Sequence, residues 1–579
     1  MKQLMLGNDA VARGLYEAGC SVASSYPGTP STEIAEALAA YDGIYSEWAP
    51  NEKVALEVAF GAALGGRRGF CGMKHVGLNV AADPLFTASY TGVNAGLVVV
   101  VADDPGMHSS QNEQDSRHYA VAAKLPMLEP SDSSECLEFA RYAYELSEQY
   151  DTPVLLRVCT RIAHAQSVVE TGARVAPEIV PYKKDSAKYV MMPAAARQRH
   201  PIVEARMKKL AGLAETSPLN RVEPGSRTDI GVVTSGASYQ YVKEAFGDSV
   251  SVLKLGLVNP LPEELIRGFA ARFDRVCVVE ELDPVIENHC RKLGLAVTGK
   301  EIFPICDEFN QNLVARALGK AVPQSAALPE EIPARPPVMC AGCPHRGMFY
   351  ALKENGATVI GDIGCYTLGA AAPLMAMDTT VCMGASVSGL HGFTHAAGNA
   401  FAEKAVALIG DSTFMHSGVT GLINIAYNGG TSTVIILDNS TTGMTGQQQN
   451  PTTGLNIKGD PAGKIDLTAL CRAVGIRRVS VVDPYDLAVC DAALKEEMAA
   501  KEPSVIISRR PCALLKTVRH NPPFRVNPDR CKSCKACMKI GCPAVSMKSG
   551  QAAIDHTLCV GCGVCAQLCR FDAFEGGAE

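Results

Sequence analysis

The residues most able to do chemistry lie at the end of the chain. Eight of its 22 cysteines fall between Cys531 and Cys569. Cys531, Cys534, Cys537 and Cys542 follow C-x2-C-x2-C-x4-C-P, and Cys559, Cys562, Cys565 and Cys569 follow C-x2-C-x2-C-x3-C. Three thiolates at two-residue gaps wrap three irons of a cubane, and the fourth ligand then comes from the other half of the run. That rule places Cys531, Cys534, Cys537 and Cys569 on one [4Fe–4S] cluster and Cys559, Cys562, Cys565 and Cys542 on another. Two departures from the bacterial run are visible: one extra residue precedes Cys542, and Arg570 stands where proline is usual. Neither removes a ligand. Four-cysteine pockets also suit zinc, but the interleaved spacing favours iron–sulfur. Such a tail moves electrons without saying what supplies them.

A second pair suits a diphosphate and its metal. Gly410-Asp411-Ser412 follows the apolar run VALI, and Asp438-Asn439 ends the run TVIIL. Asp411 and Asn439 are 28 residues apart, the length of one strand–helix–strand unit. Both side chains then emerge at the carboxyl edge of adjacent parallel strands, where such sheets bind ligands. A carboxylate, an amide oxygen and a backbone carbonyl are hard ligands suited to Mg2+ bridging two phosphates. Gly410 permits a close backbone approach. Alone, G-D-S ends many strands and says little. In the first part of the chain, Asn51-Glu52 opens a helix with Ala55, Val58, Ala59, Ala62 and Ala63 on its expected buried side, and Gly61 nine residues after Glu52. The plain reading of Glu52 is an acid favoured by the helix dipole.

These residues need parallel sheets to hold them. Gly96–Ala102 (GLVVVVA) and Pro153–Val158 (PVLLRV) read as strands covered on both faces. IGVVTSG, VLKLG and VCVVEEL form a second group, and ALIGD, TVIILDN and SVIISR a third. Between the first two lies a basic helical stretch with no strand signal. The expected organisation is an α/β multidomain chain: residues 1–180, a linker 181–228, then 229–325, 338–515 and a cysteine-rich module 520–579. No short-period repeat is evident.

Composition narrows the partners. Net charge is −6 and Trp48 is the single tryptophan, which gives no reason to expect nucleic acid or an anionic membrane. The longest apolar run, near Leu97–Ala102, is too short to span a bilayer, and no signal peptide is seen. A cytoplasmic protein is expected, where cysteines serve metals or redox chemistry rather than disulfides.

Asp411 with the distant Asn439 resembles the thiamine-diphosphate motif, GDG followed by N, with Ser412 in the third place. The resemblance implies Mg2+ held by Asp411, Asn439 and the Thr441 carbonyl. Asn51-Glu52 resembles the element that supplies the acid for the cofactor's aminopyrimidine, which gives Glu52 that role. Tyr26-Pro27-Gly28-Thr29-Pro30-Ser31 and the Met73–Asn79 loop resemble segments of the 2-oxoacid:ferredoxin oxidoreductases, as does Cys340-Ala341-Gly342-Cys343-Pro344-His345. The resemblance spans essentially the whole chain. It implies a pyrimidine domain, a transketolase-C-like domain, a diphosphate domain and a two-[4Fe–4S] ferredoxin-like domain. It further implies thiamine-dependent oxidative decarboxylation of a 2-oxo acid with coenzyme A as acyl acceptor and ferredoxin as electron acceptor. A small subunit would supply a domain absent here, in a dimer of heterodimers. Thr29 would face the substrate carboxylate, and His75 would assist at the cofactor. Gly28 stands where pyruvate enzymes carry isoleucine, leaving room for an aryl-pyruvate such as indolepyruvate. Cys340, Cys343, Cys365 and Cys512 match positions that hold a third cluster in other members; buried structural cysteines are the alternative. Another 2-oxo acid (pyruvate, 2-oxoglutarate or a branched-chain acid) and a non-oxidative thiamine decarboxylase remain open.

Overall fold

The structure, a computed structural model, describes residues 1–175, 177–324, 330–333, 335–397 and 404–576. The expected domain ends at 325 and 579 lie outside the described residues. The chain divides into two compact units, Met1–Leu328 and Pro329–Glu579.

In the first unit, Val98–Val101 have no exposed surface, and this β-branched run forms a central strand of a parallel sheet. Among the described residues that sheet has seven strands, in the order Leu257–Asn259, Met127–Leu128, Val154–Cys159, Leu97–Asp103, Gly69–Lys74, Val22–Ser25, Tyr45–Trp48. Only the first pairing is antiparallel. A five-stranded sheet follows: Val297–Thr298, Arg275–Val279, Ile230–Ser235, Ser251–Leu255, Arg221–Glu223. Its last strand lies in the stretch 181–228, which was expected to be strandless. Three residues on an antiparallel edge carry too little pattern to show. Most of that stretch is a 24-residue helix, Pro193–Thr216, opened by proline in its first turn. It is pinned to the helix Ala82–Thr91 by Arg199 donating to Tyr90 O (2.6 Å) and Arg206 to Ser89 O (2.8 Å).

Strand Leu257–Asn259 of the second segment extends the first sheet, so the two share hydrogen bonds. Beside this junction Arg117, 1% exposed, holds Asp115 and Glu280, each at 2.6 Å. Arg117 and Arg157 keep the Asp115 carboxyl well below the usual carboxylate range, against the effect of burial. A buried network of this kind contributes registry more than net stability.

In the second unit five parallel strands run Thr358–Ile360, Ala405–Gly410, Thr433–Asp438, Ser504–Arg509, Arg478–Val482 among the described residues. The tail adds two small antiparallel pairs, Arg525–Val526 with Phe574–Glu575 and Val545–Lys548 with Gln551–Ile554. Among the described residues no helix is long and apolar enough to cross a membrane.

Candidate active site

In the first unit the adjacent parallel strands Val22–Ser25, Gly69–Lys74 and Leu97–Asp103 deliver three loops to one edge. Asn51 caps the helix Glu52–Leu64 by accepting from Val54 N at 2.9 Å, which places Glu52 in the first turn, 4% exposed. Leu56, not Val58 or Ala62, completes the buried face with Ala55, Ala59 and Ala63. The glycine that matters to Glu52 is Gly77: a Cβ there would come within 2.6 Å of Glu52 Oε1. A Cβ on Gly61 would meet nothing within 4 Å.

His75 opens the helix His75–Val80, buried, with Nε2 3.2 Å from the Asn112 carbonyl. A carbonyl only accepts, so Nε2 carries the proton and Nδ1 keeps its lone pair. Nδ1 is buried with no hydrogen-bond partner among the described residues. Burial lowers the imidazole pKa, which favours this neutral form. Asp104 folds the loop that presents Asn112, accepting from Ser109 N (2.9 Å), Ser110 Oγ (2.6 Å) and Thr160 Oγ1 (2.7 Å).

Gly28 packs on Lys74, where a Cβ would lie 3.3 Å from Lys74 Cγ. Ser31 Oγ donates to Gly28 O at 2.9 Å and Asn8 Nδ2 to Pro30 O at 2.6 Å, fixing the backbone around half-buried Thr29. One strand-to-helix junction, Lys74–Gly77, therefore touches Gly28 with its first residue and the Glu52 carboxyl with its last.

In the second unit Asp411 and Asn439, 28 positions apart, follow neighbouring parallel strands, with Gly410 opposite Leu437. Gly410 faces the ring of Tyr366; a Cβ there would sit 2.7 Å from Tyr366 Cε1. Asp411, Ser412, Asn439 and Thr441 are all buried. The Asn439 amide oxygen lies 3.2 Å from Asp411 Oδ1 and 2.7 Å from the Thr441 carbonyl oxygen. Three acceptors facing one another with no proton between them repel, and turning the amide over would make both contacts hydrogen bonds. The nitrogen-inward orientation satisfies the site without a metal, and the oxygen-inward one would serve a cation held by Asp411, Asn439 and the Thr441 carbonyl. Oxygens at neighbouring corners of a Mg2+ octahedron stand about 3 Å apart, given Mg–O of about 2.1 Å, which is the spacing seen. The amide nitrogen meanwhile points to His345 Nε2 at 3.4 Å. Without a cation, burial and the neighbouring Asp438 push Asp411 up to about 7. The donor set fits Mg2+.

Asn450 Nδ2 and Thr452 Oγ1 donate to Asp411 Oδ2 at 3.3 and 3.2 Å, and Thr442 Oγ1 donates to Ser412 Oγ at 2.9 Å. Nothing in the sequence flagged Asn450 or Thr452, which lie on a later loop.

Four cysteines outside the tail, Cys340, Cys343, Cys365 and Cys512, gather beside this focus. Cys512 N donates to Asn439 O at 2.8 Å, and Cys365 Sγ lies 3.6 Å from His345 Nε2. Burial pushes the Cys365 thiol up to about 12, reinforced by the charges of Cys512, Asp411 and Cys340. Cys343 is likewise pushed up to about 12 by burial, then by Cys365 and Cys340. Such thiols stay protonated unless a cation takes their place at sulfur. Burial alone lowers His345 to about 4, leaving a neutral ring between Asn439 and Cys365.

In the tail, Cys531, Cys534, Cys537 and Cys569 line one cavity. Cys565 is pushed up by burial and by the charges of Cys562, Cys542 and Cys559, so these four form the other neighbourhood. Among the described residues, no three His, Cys, Asp or Glu side chains close on a point as ligands of a single metal ion would. Thiols around a four-iron cube stand farther apart than thiols around one zinc.

Known proteins match each part of this arrangement. Residues 13–212 match the family model "Pyruvate flavodoxin/ferredoxin oxidoreductase, thiamine diP-bdg". Residues 362–508 match "Thiamine pyrophosphate enzyme, C-terminal TPP binding domain", and residues 552–575 match "4Fe-4S binding domain". The indolepyruvate oxidoreductase subunit IorA of Archaeoglobus fulgidus is 42% identical, over 98% of this chain and 96% of its own. That of Methanothermobacter thermautotrophicus is also 42% identical, over 99% of this chain and 97% of its own. The chain belongs to the indolepyruvate oxidoreductase subunit IorA family. Membership makes it part of a thiamine-dependent 2-oxoacid oxidoreductase, with thiamine-diphosphate-binding domains and a 4Fe–4S binding domain in one chain. A solved 2-oxoglutarate:ferredoxin oxidoreductase from Magnetococcus marinus is 19% identical with a TM-score of 0.47, over 55% of this chain and 64% of its own. IorA proteins are named as subunits, so a partner chain belongs to the assembly.

Proposed function

We propose that this cytoplasmic subunit catalyses the oxidative decarboxylation of aryl-pyruvates, indolepyruvate and phenylpyruvate among them, with coenzyme A, giving an aryl-acetyl-CoA and CO2 and reducing ferredoxin. The observation that carries the reading is the oxygen focus of Asp411, Asn439 and Thr441 with Cys340, Cys343, Cys365 and Cys512 beside it. A diphosphate-bound metal and an electron acceptor are thus served by one set of loops. When bound, thiamine diphosphate supplies the electron sink for cleaving the bond next to the keto carbon.

The chain's own residues do the rest. Asp411, Asn439 and the Thr441 carbonyl hold Mg2+, and Gly410 and Ser412 line the diphosphate. Glu52, kept in place by Gly77, is the acid for the aminopyrimidine. Thr29 receives the substrate carboxylate, Gly28 leaves space for the aromatic side chain, and His75 Nδ1 accepts or returns a proton. Cys340, Cys343, Cys365 and Cys512 hold a [4Fe–4S] cluster, and the tail holds two more, one on Cys542, Cys559, Cys562 and Cys565, the other on Cys531, Cys534, Cys537 and Cys569. Electrons pass along them to ferredoxin. The small subunit completes the active enzyme as a dimer of heterodimers.

Two measurements test the reading. Iron analysis of the anaerobically purified chain should give about twelve atoms, against about eight if only the tail is loaded. Steady-state turnover of a 2-oxo acid panel by the two-subunit complex, with coenzyme A and a low-potential dye, should favour indolepyruvate and phenylpyruvate. Faster turnover of pyruvate or 2-oxoglutarate would move the substrate elsewhere in the class.

A further inference from the structure

The charge of the chain is unevenly spread. Residues 516–579 carry nine Lys and Arg against five Asp and Glu, whereas the whole chain has 54 against 60. Four of these nine cations flank one of the two tail cysteine groups, where Arg530 pairs with Asp572 (3.5 Å) and Glu575 (3.9 Å). Arg530, Lys532, Lys535 and Arg570 are all exposed, as is Cys534. Lys532 and Lys535 line the same cavity as Cys531, Cys534, Cys537 and Cys569. Among the described residues neither lysine has a carboxylate partner; Lys532 Nζ donates only to the Asp529 carbonyl, at 3.1 Å. Phe571, 44% exposed, lines the same cavity. An exposed apolar ring beside two cations without carboxylate partners is the composition of a protein contact.

The other cysteine group faces inward. Gly342, between Cys340 and Cys343, packs on Val560, between Cys559 and Cys562. Buried Arg346 donates to Cys340 O (3.2 Å), Ile540 O (3.0 Å) and Gly541 O (2.7 Å), binding the loop before Cys542 to the Cys340 loop. Tyr485 Oη donates to the Gly342 carbonyl, and Gln567 Nε2 donates to Tyr485 O at 2.6 Å. The module is therefore clamped on the Cys542–Cys565 side and open on the Cys531–Cys569 side.

The geometry points to the face formed by Lys532, Lys535, Phe571 and Cys534 as the docking surface of an acidic, one-electron carrier protein. It rests on the reading of the tail as cluster-bearing and adds where electrons leave. At each encounter one electron leaves the Cys531–Cys569 cluster and the oxidised carrier gains it, so a two-electron oxidation of substrate needs two encounters. The cations steer the carrier in, and the phenyl ring packs where cluster and carrier come closest.

The test compares the wild-type two-subunit complex with the double variant Lys532→Glu/Lys535→Glu, using a ferredoxin of negative net charge and, separately, a small dye. At low ionic strength the variant should bind oxidised ferredoxin roughly ten-fold or more weakly by calorimetry and show a matching rise in KM for ferredoxin, with a flatter salt dependence. Iron content and dye-linked turnover should stay within about two-fold of wild type. Unchanged ferredoxin affinity at low salt would overturn the proposal. So would an equal loss with ferredoxin and dye in a variant of normal iron content. The binding arm needs no turnover, so a wild-type complex inactive on every 2-oxo acid would sink the catalytic reading while leaving the docking face separately decided.

Discussion

Gly342 lies against Val560 so closely that a Cβ on the glycine would come within 2.1 Å of Val560 Cγ2. Each residue sits inside a C-x2-C turn, one at the diphosphate domain and one in the tail. Under the proposed function, two cysteine turns in van der Waals contact would give electrons a short path from the loops beside Asp411 and Asn439 into the tail. Gly342 has φ +64°, a conformation and a clearance that only glycine combines at low cost.

Glu52→Gln should leave thiamine binding intact and reduce turnover by about 10^2- to 10^4-fold, the range for losing a positioned proton-transfer group. Gly77→Ala should act through the same carboxylate, since its methyl must displace Glu52 Oε1, and cost roughly 10^2-fold. The check is kcat for both variants beside thiamine affinity by calorimetry. A Gly77→Ala enzyme of normal kcat would show that the contact does not position Glu52.

Thr452→Val and Asn450→Ala remove donors to Asp411 Oδ2. Both should weaken Mg2+-dependent binding of thiamine diphosphate by about 10- to 100-fold, as losses of metal-supporting hydrogen bonds do. Asp411→Ala should abolish it. Titrating Mg2+ against cofactor binding separates the three; saturating Mg2+ should rescue the first two only.

Gly28→Ile should cut turnover of indolepyruvate and phenylpyruvate far more than that of small 2-oxo acids. The structure adds that the new side chain must push the Lys74 methylenes, 3.3 Å from the position of its Cβ. Equal losses on large and small substrates would mean that the effect comes from Lys74 and not from pocket size.

Glu281 offers a pH test of the junction in the first unit. Burial pushes its carboxyl up to about 7, against an ordinary value of 4.5. A raised carboxyl pKa means that the folded state prefers the protonated form. Stability should therefore fall as pH rises from about 4.5 through 7, by an amount on the order of 3 kcal/mol at about 1.4 kcal/mol per pH unit. Glu281→Gln should raise Tm at pH 8 and change it little at pH 5. A variant less stable than wild type at both pH values would contradict this.

What the sequence revealed and what it concealed follow from the range of the contacts. The tail cysteines and the Asp411–Asn439 pair were legible because their grouping is fixed by local spacing or by one strand–helix–strand unit. Gly77 was in view as part of the Met73–Asn79 loop, but its contact with Glu52 depends on how that loop folds across a helix. Asn450, Thr452 and Arg346 carry no motif; they are defined by tertiary hydrogen bonds alone. Strands Thr358–Ile360 and Arg221–Glu223 escaped because three residues cannot display a period.

The most direct test is an anaerobic addition of indolepyruvate to the two-subunit complex loaded with thiamine diphosphate and Mg2+, following the visible absorption of the iron–sulfur clusters. The account predicts bleaching that requires both the 2-oxo acid and the cofactor, is reversed by oxidised ferredoxin, and is lost in Glu52→Gln. Release of aldehyde and CO2 with no change in cluster absorption would contradict it.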